Sequence, residues 1–278
     1  MIVFIHINKT AGTTLRYILR SSYGPRHCDV EPWHGAWSDP PFSMKDLRRV
    51  RKIYPRLASI AGHRVTGYMD LREPGDRIDY ITVLREPLAM CASRFQYQLE
   101  YRKKSKLVFE EWIKKDWVGN AQVKHIAGIA SAADAIRVIR ERNMFVGLTE
   151  RFDESMILLK ALRAPDLNIG YVPVNVAKGS QLAKQLLADR DTRRMIVDVN
   201  QEDLELYKHV ACHTYPALQQ EYGPGLDDAV SEYCNRRHRG FNRWNLILYG
   251  VKQRALHRPL LRLYRGERSG RMIERLLT

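Results

Sequence analysis

One stretch constrains what the rest of the chain can be: Phe4-Ile5-His6-Ile7-Asn8-Lys9-Thr10-Ala11-Gly12-Thr13-Thr14-Leu15. It belongs to an apolar, β-branched run from Ile2 to Ile7, which predicts a buried strand. It leads into Leu15-Arg16-Tyr17-Ile18-Leu19, whose apolar spacing predicts a helix. Between the two lie a lysine and a set of small and hydroxylated residues, the composition of a tight turn. A strand, a tight turn and a helix start together present backbone N–H groups to an anion. Lys9 adds a point charge there, and Thr10, Thr13 and Thr14 add hydroxyl donors.

The turn departs from the Walker pattern, which needs a glycine five residues before Gly-Lys-[Ser/Thr]. Here Asn8 precedes the lysine, and Gly12, the one glycine of the turn, follows it. Further buried-strand signals come at Leu57-Ala58-Ser59-Ile60-Ala61, Tyr80-Ile81-Thr82-Val83-Leu84 and Met144-Phe145-Val146-Gly147-Leu148. Helices are predicted over 44–54, 88–102, 108–115, 132–142, 149–162, 182–188 and 203–212. Ser21 to Pro41, rich in Pro, Gly, His and Trp, reads as a long ordered loop of a kind that is often functional. Strands alternating with helices predict an α/β fold with a central parallel sheet flanked by helices.

The net charge of +15 implies an anionic partner: a nucleotide, a polyanionic substrate, nucleic acid or a membrane surface. The four cysteines, Cys28, Cys91, Cys212 and Cys234, have no metal-ligand spacing and read as reduced thiols. No leader peptide and no spanning helix is visible, so a soluble, cytoplasmic protein is expected. From Arg236 onward the chain becomes basic, with Trp244, Leu246, Ile247, Leu248 and Val251 interleaved. That composition suits either an amphipathic tail on an anionic surface or a helical appendage packed on the domain. The expected division is a main domain over 1–225 and a basic helical extension over 226–278.

Two more groups stand at predicted strand ends, where open α/β sheets bind ligands. Arg85 ends a buried strand, where a guanidinium needs an anion. Ser93, two helical turns later, can approach the same group. Gly62-His63 ends the short strand, and His6, His27 and His34 compete with His63 for a catalytic part. Trp33 and Trp37 in the early loop can stack on sugar rings or can be structural.

HINKTAGTT resembles the 5′-phosphosulfate loop of sulfotransferases that use 3′-phosphoadenosine 5′-phosphosulfate (PAPS). TVLREPLAMCAS resembles the 3′-phosphate-binding strand and helix of the same enzymes. The order and separation of the pair are similar to those of carbohydrate sulfotransferases, the heparan sulfate 2-O- and 6-O-type above all. Gly62-His63, the run Asn120 to Lys124, Val146 to Glu150 and Asn175 to Lys178 match further segments of that group.

The resemblance implies a P-loop-like three-layer fold without NTPase chemistry. Lys9, Thr10, Ala11, Gly12, Thr13 and Thr14 would cradle the 5′-phosphosulfate, Arg85 and Ser93 would hold the 3′-phosphate, and Lys178 would approach the nucleotide. His63 falls at the catalytic histidine of the heparan sulfate enzymes. PAPS would be the donor, released as 3′,5′-adenosine bisphosphate, with no metal required. A hydroxyl-bearing glycan, acidic or neutral, would be the acceptor, and no nucleic acid is expected. The family often has aspartate in place of Glu86 and another arginine in place of Met90. The competing readings are a non-catalytic nucleotide- or polyanion-binding protein and a P-loop kinase.

Overall fold

The computed structural model describes residues 1–30, 40–100, 107–171, 181–236 and 240–260. Five parallel strands form one sheet: β1 (Ile2–Ile5), β2 (His27–Asp29), β3 (Ser59–Gly62), β4 (Asp79–Leu84) and β5 (Phe145–Leu148), in the order β2-β3-β1-β4-β5. Helices flank it. They are α1 (Gly12–Tyr23), α2 (Met44–Ile53), α3 (Pro87–Glu100), α4 (Phe109–Ile113), α5 (Ala121–Ala127), α6 (Ala132–Glu141) and α7 (Phe152–Leu162). After these come α8 (Gln181–Ala188), α9 (Arg190–Val199), α10 (Gln201–His209), α11 (Tyr215–Tyr222), α12 (Leu226–Arg236) and α13 (Arg243–Lys252). This is the α/β architecture expected from the alternating pattern.

Strand β1 is buried along its whole length because it lies in the middle of a sheet covered on both faces, which is why it reads as a continuous apolar run. The chain starts there, moves to the β2 edge, returns to β3, and then passes over β1 to β4 and β5. The direction of winding therefore reverses across β1. In open parallel sheets the crevice at such a reversal, beyond the C-terminal strand ends, is where ligands bind.

The early loop differs from expectation. Ser21 to Pro41 does not begin as a loop: α1 runs to Tyr23, a 3₁₀ turn covers Gly24–Arg26, and His27–Asp29 is the edge strand β2. Histidine and aspartate carry no strand signal, yet both side chains are buried and satisfied. His27 bonds Ser59 Oγ through Nδ1 (2.8 Å) and Asp29 through Nε2 (3.2 Å). Arg16 and Arg20 of α1 donate to the two Asp29 carboxylate oxygens at 2.8 and 2.7 Å. Backbone pairing with β3 does the rest. Trp33, His34 and Trp37 lie outside the described residues.

The segment after 225 is held to the sheet domain. Leu226 is buried in the main core, Tyr233 donates to the Ile169 carbonyl (2.6 Å), and Tyr249 of α13 donates to Asp29. The described part of the basic segment is thus a packed helical appendage. Its arginines beyond 260, with Arg237 and Arg239, lie outside the described residues. All four cysteines are free thiols.

Asp29 joins α1, β2 and α13, and its energetics are testable. Burial opposes its ionisation, but the His27 contact and the Arg16 and Arg20 guanidiniums prevail and hold its carboxyl well below the usual range. Its contribution is therefore full above the ordinary carboxylate pKa and is lost as pH falls through the lowered one. Asp29→Asn should cost on the order of 3 kcal/mol at neutral pH. It should also flatten the fall of stability below about pH 4, both read from urea unfolding across pH.

Candidate active site

The register of the sheet assembles the site. Ile5 pairs with Gly62 on one side and with Thr82 on the other. The residues that follow are His6, His63 and Val83, so the first step beyond β1 and β3 sets two imidazoles side by side. The rings of His6 and His63 stack with centroids 4.0 Å apart. His63 Nδ1 lies 2.8 Å from the His6 carbonyl oxygen, which can only accept, so Nδ1 carries the proton and Nε2 is the basic nitrogen. Burial lowers the His63 pKa, the bond to the His6 carbonyl works against that, and the charge of Arg16 adds to the lowering. His63 is consequently neutral at neutral pH.

His6 itself is buried, and its Nδ1 has no hydrogen-bond partner among the described residues. Burial first, and then the neighbouring His63, hold its pKa well below the ordinary value. It acts as a neutral spacer. Gly12 is what makes room for it: a Cβ at position 12 would stand 1.9 Å from His6 Cδ2. The single glycine of the loop is thus required by the histidine beneath it, at a backbone conformation that other residues also adopt.

The turn after β1 is tight. Lys9 and Ala11 take left-handed conformations, with φ of 67° and 60°, uncommon for residues with a side chain. They turn the chain so that α1 starts at Gly12. Thr14 and Leu15 N–H groups bond the Ala11 carbonyl. The Gly12 and Thr13 amides, at the first two helix positions, have no carbonyl one turn back to receive them. Thr10 is fully buried and donates to the Ile7 carbonyl (3.1 Å), so its hydroxyl braces the turn. Thr13 is exposed at the helix start and Thr14 is buried.

On the other side of β1, Arg85 follows β4. Its Nη1 donates to the Lys9 carbonyl at 3.1 Å, which brings the two cations together. Burial, and then the Arg85 charge, lower the Lys9 pKa; Glu100 opposes them. Burial likewise lowers Arg85, against Glu150 and Glu86. Neither cation forms an ion pair among the described residues. Lys9 Nζ instead sits 4.7 Å from the centre of the Tyr97 ring on α3. Ser93 is half-buried on α3, and Met90 is fully buried in the core, so position 90 offers nothing to a ligand. Lys178 lies outside the described residues.

Several supporting residues were not singled out from the sequence. Gln122, fully buried, clasps Arg85 at both ends of its peptide: Oε1 accepts from the Arg85 N–H (3.0 Å) and Nε2 donates to the Arg85 carbonyl (2.9 Å). Glu150 accepts from the Glu86 N–H (3.0 Å). Glu86 accepts from the Leu88 and Ala89 amides (3.1 and 2.7 Å) and so caps α3. The matched runs around Asn120 and Glu150 contained both supporters, but nothing in their spacing revealed the partner. Beside the turn lies a cleft of about 360 Å³ whose lining includes Asn8, Tyr68, Arg94, Trp117, Lys124 and His125.

No family model matches the sequence. Galactose-3-O-sulfotransferase 3 of Mus musculus is 27% identical over 214 residues, which cover 66% of this chain and 49% of that protein. Over that stretch the chain is similar to a carbohydrate sulfotransferase. It spans about half the length of the curated relative it matches. The similarity agrees with the carbohydrate sulfotransferase resemblance of the two loop motifs, though with a galactose-3-O-type rather than a heparan sulfate 2-O- or 6-O-type enzyme.

Gly12→Ala tests the packing of this centre. Overpacking against His6 should cost about 1–3 kcal/mol. It should also displace His63, visible as a changed titration of the histidine C–H resonances by NMR.

Proposed function

We propose that the protein transfers a sulfuryl group from PAPS to a carbohydrate hydroxyl. The observation that carries this reading is the juxtaposition across β1. Two cations without ion pairs among the described residues, Lys9 and Arg85, stand with the first amides of α1 on one side, and His63 with a basic Nε2 stands on the other. Relationship to a carbohydrate sulfotransferase supports the substrate class.

The residues suit the donor. Burial and the Arg85 charge both disfavour the charged form of Lys9, and burial disfavours that of Arg85; an anion between the two would relieve them. The Gly12 and Thr13 amides and Lys9 would receive the 5′-phosphosulfate, with Thr13 adding a hydroxyl, while Arg85 and Ser93 would take the 3′-phosphate. Arg94, one turn after Met90 on α3, borders the adjoining cleft with its guanidinium anchored to the Val118 and Trp117 carbonyls. When bound, PAPS supplies the sulfuryl group and a phosphate leaving group. His63 Nε2 takes the proton of the acceptor hydroxyl as its oxygen bonds to sulfur. Lys9 and the helix amides stabilise the negative charge that gathers on the departing phosphate. The cleft beside Asn8, with Trp117 and Tyr68 as flat apolar walls, is a fitting seat for a sugar ring.

Differential scanning fluorimetry tests the binding half. 3′,5′-Adenosine bisphosphate should raise the melting temperature of the wild type and leave Lys9→Ala unchanged. Stabilisation by ATP with magnesium in its place would move the reading to a kinase.

The chemical half rests on His63. His63→Ala should lower turnover about 10²–10⁴-fold with labelled PAPS and a galactose-containing acceptor, while keeping the nucleotide-induced shift. Unchanged turnover would remove His63 from the reaction. Because the base must be neutral and its pKa lies below the ordinary 6.5, the acid limb of the wild-type rate should have its midpoint below pH 6.5.

A further inference from the structure

Helix α13 is polar where it meets the protein and apolar where it meets solvent, the reverse of an ordinary surface helix. On the inner side the Asn242 N–H donates to Ser21 Oγ (2.7 Å), and Asn245 Nδ2 donates to the Ser21 and Ser22 carbonyls (2.8 and 2.9 Å). Tyr249 donates to Asp29, Lys252 to the Pro25 carbonyl (3.1 Å), and Gln253 to the Tyr54 hydroxyl (3.1 Å). On the outer side stand Trp244, Ile247, Leu248 and Val251, at i, i+3, i+4 and i+7, exposed to 75%, 53%, 48% and 57%. Leu256 continues the stripe at 40%. Burying the polar face of a helix by hydrogen bonds leaves its apolar face for something else to cover.

The surroundings of the stripe say what covers it. A groove of about 470 Å³ runs beside α13, lined by Tyr23, Arg26, Tyr54, Arg56, Leu248 and Lys252 among others. None of its three cations forms an ion pair with a carboxylate among the described residues. Residues 240–260 contain Arg243, Lys252, Arg254 and Arg258 and no aspartate or glutamate. A second copy of the chain would bring the same cations face to face, which opposes pairing. An anionic lipid surface meets both features at once: headgroup phosphates for the cations, and the interfacial zone for an indole and aliphatic side chains.

We propose that the outer face of α13 and the Arg26–Arg56–Lys252 groove dock the protein on an anionic membrane surface. Helix α13 has 10 residues, too few to cross a bilayer, so this contact is interfacial. The inner face of α13 holds the C-terminal end of α1, whereas the turn after β1 lies at the N-terminal end of α1, roughly 14 Å away by helical rise. Docking therefore leaves the crevice clear. The inference does not depend on the proposed reaction.

Co-sedimentation of the full chain with vesicles tests it. Binding is expected to vesicles of phosphatidylcholine mixed equally with phosphatidylglycerol, and not to phosphatidylcholine alone. The double variant Ile247→Asp/Val251→Asp, at exposed positions, should lose binding at least about tenfold with an unchanged melting temperature. Arg26→Glu/Arg56→Glu should lose about fivefold or more per charge. Tryptophan emission should shift to the blue on binding in the wild type, and the shift should shrink in Trp244→Phe. Three results would overturn the proposal. They are no binding to the mixed vesicles, binding that survives Ile247→Asp/Val251→Asp, or a dimer in analytical ultracentrifugation that this double variant dissolves.

Discussion

The parallel register of β1 with β3 and β4 is the constraint on which the site depends. Ile5 lies level with Gly62 and Thr82, so each residue beyond a strand end has a partner fixed by the ladder. His6 meets His63 one step out, and the Lys9 carbonyl meets the Arg85 guanidinium a few steps further. A slip by one residue would turn every side chain of β1 to the opposite face and dissolve both pairings. Because β1 is apolar on both faces, polarity does not set this register; the close fit of its unequal side chains in the core does. The apolar run at the start of the chain thus makes the sheet and, through the register, sets the chemistry at its end.

A polar second layer keeps that crevice in shape. Gln122 fixes the peptide of Arg85, and Glu150 fixes that of Glu86. Asp203 receives the Gln122 and Val123 amides at the start of α5, and burial pushes its pKa up to about 6. Each supporter is tied to backbone and leaves Lys9 and Arg85 without ion pairs among the described residues. That arrangement suits a site whose work is electrostatic, where fixed dipoles and charges lower a barrier without reorganising.

Much of this was legible in the sequence, and the reasons for success and failure are physical. Strands β1, β3, β4 and β5 announce themselves because burial on both faces demands apolar, β-branched residues. The turn at Lys9 to Gly12 is legible because small and hydroxylated residues between a strand and a helix have few other uses. Strand β2 escaped because His27 and Asp29 are satisfied by Ser59, Arg16 and Arg20, partners on other elements. Gln122 escaped for the same reason: a buried glutamine looks like any other until the peptide it clasps is known. Gly12 was read as a residue of the cradle, and its hard constraint turned out to be the His6 ring beneath it.

Helix α1 connects the turn after β1 with α13. Its N-terminus carries the amides and partial positive charge that attract an anion. Its C-terminal half carries Arg16 and Arg20, which neutralise Asp29, and the Ser21 and Ser22 carbonyls that receive Asn245. Asp29 also receives Tyr249 from α13. The appendage therefore holds the same helix that presents the loop, from the opposite end. Replacing the polar inner face of α13 by apolar residues would take the Tyr249 donor from Asp29 and the Asn245 amide from the Ser21 and Ser22 carbonyls, so its polarity is fixed from within. Its apolar outer face has no such internal cause. That asymmetry is why the outer face calls for a partner, and why a lipid surface can seat there without disturbing the strand ends where the reaction is proposed.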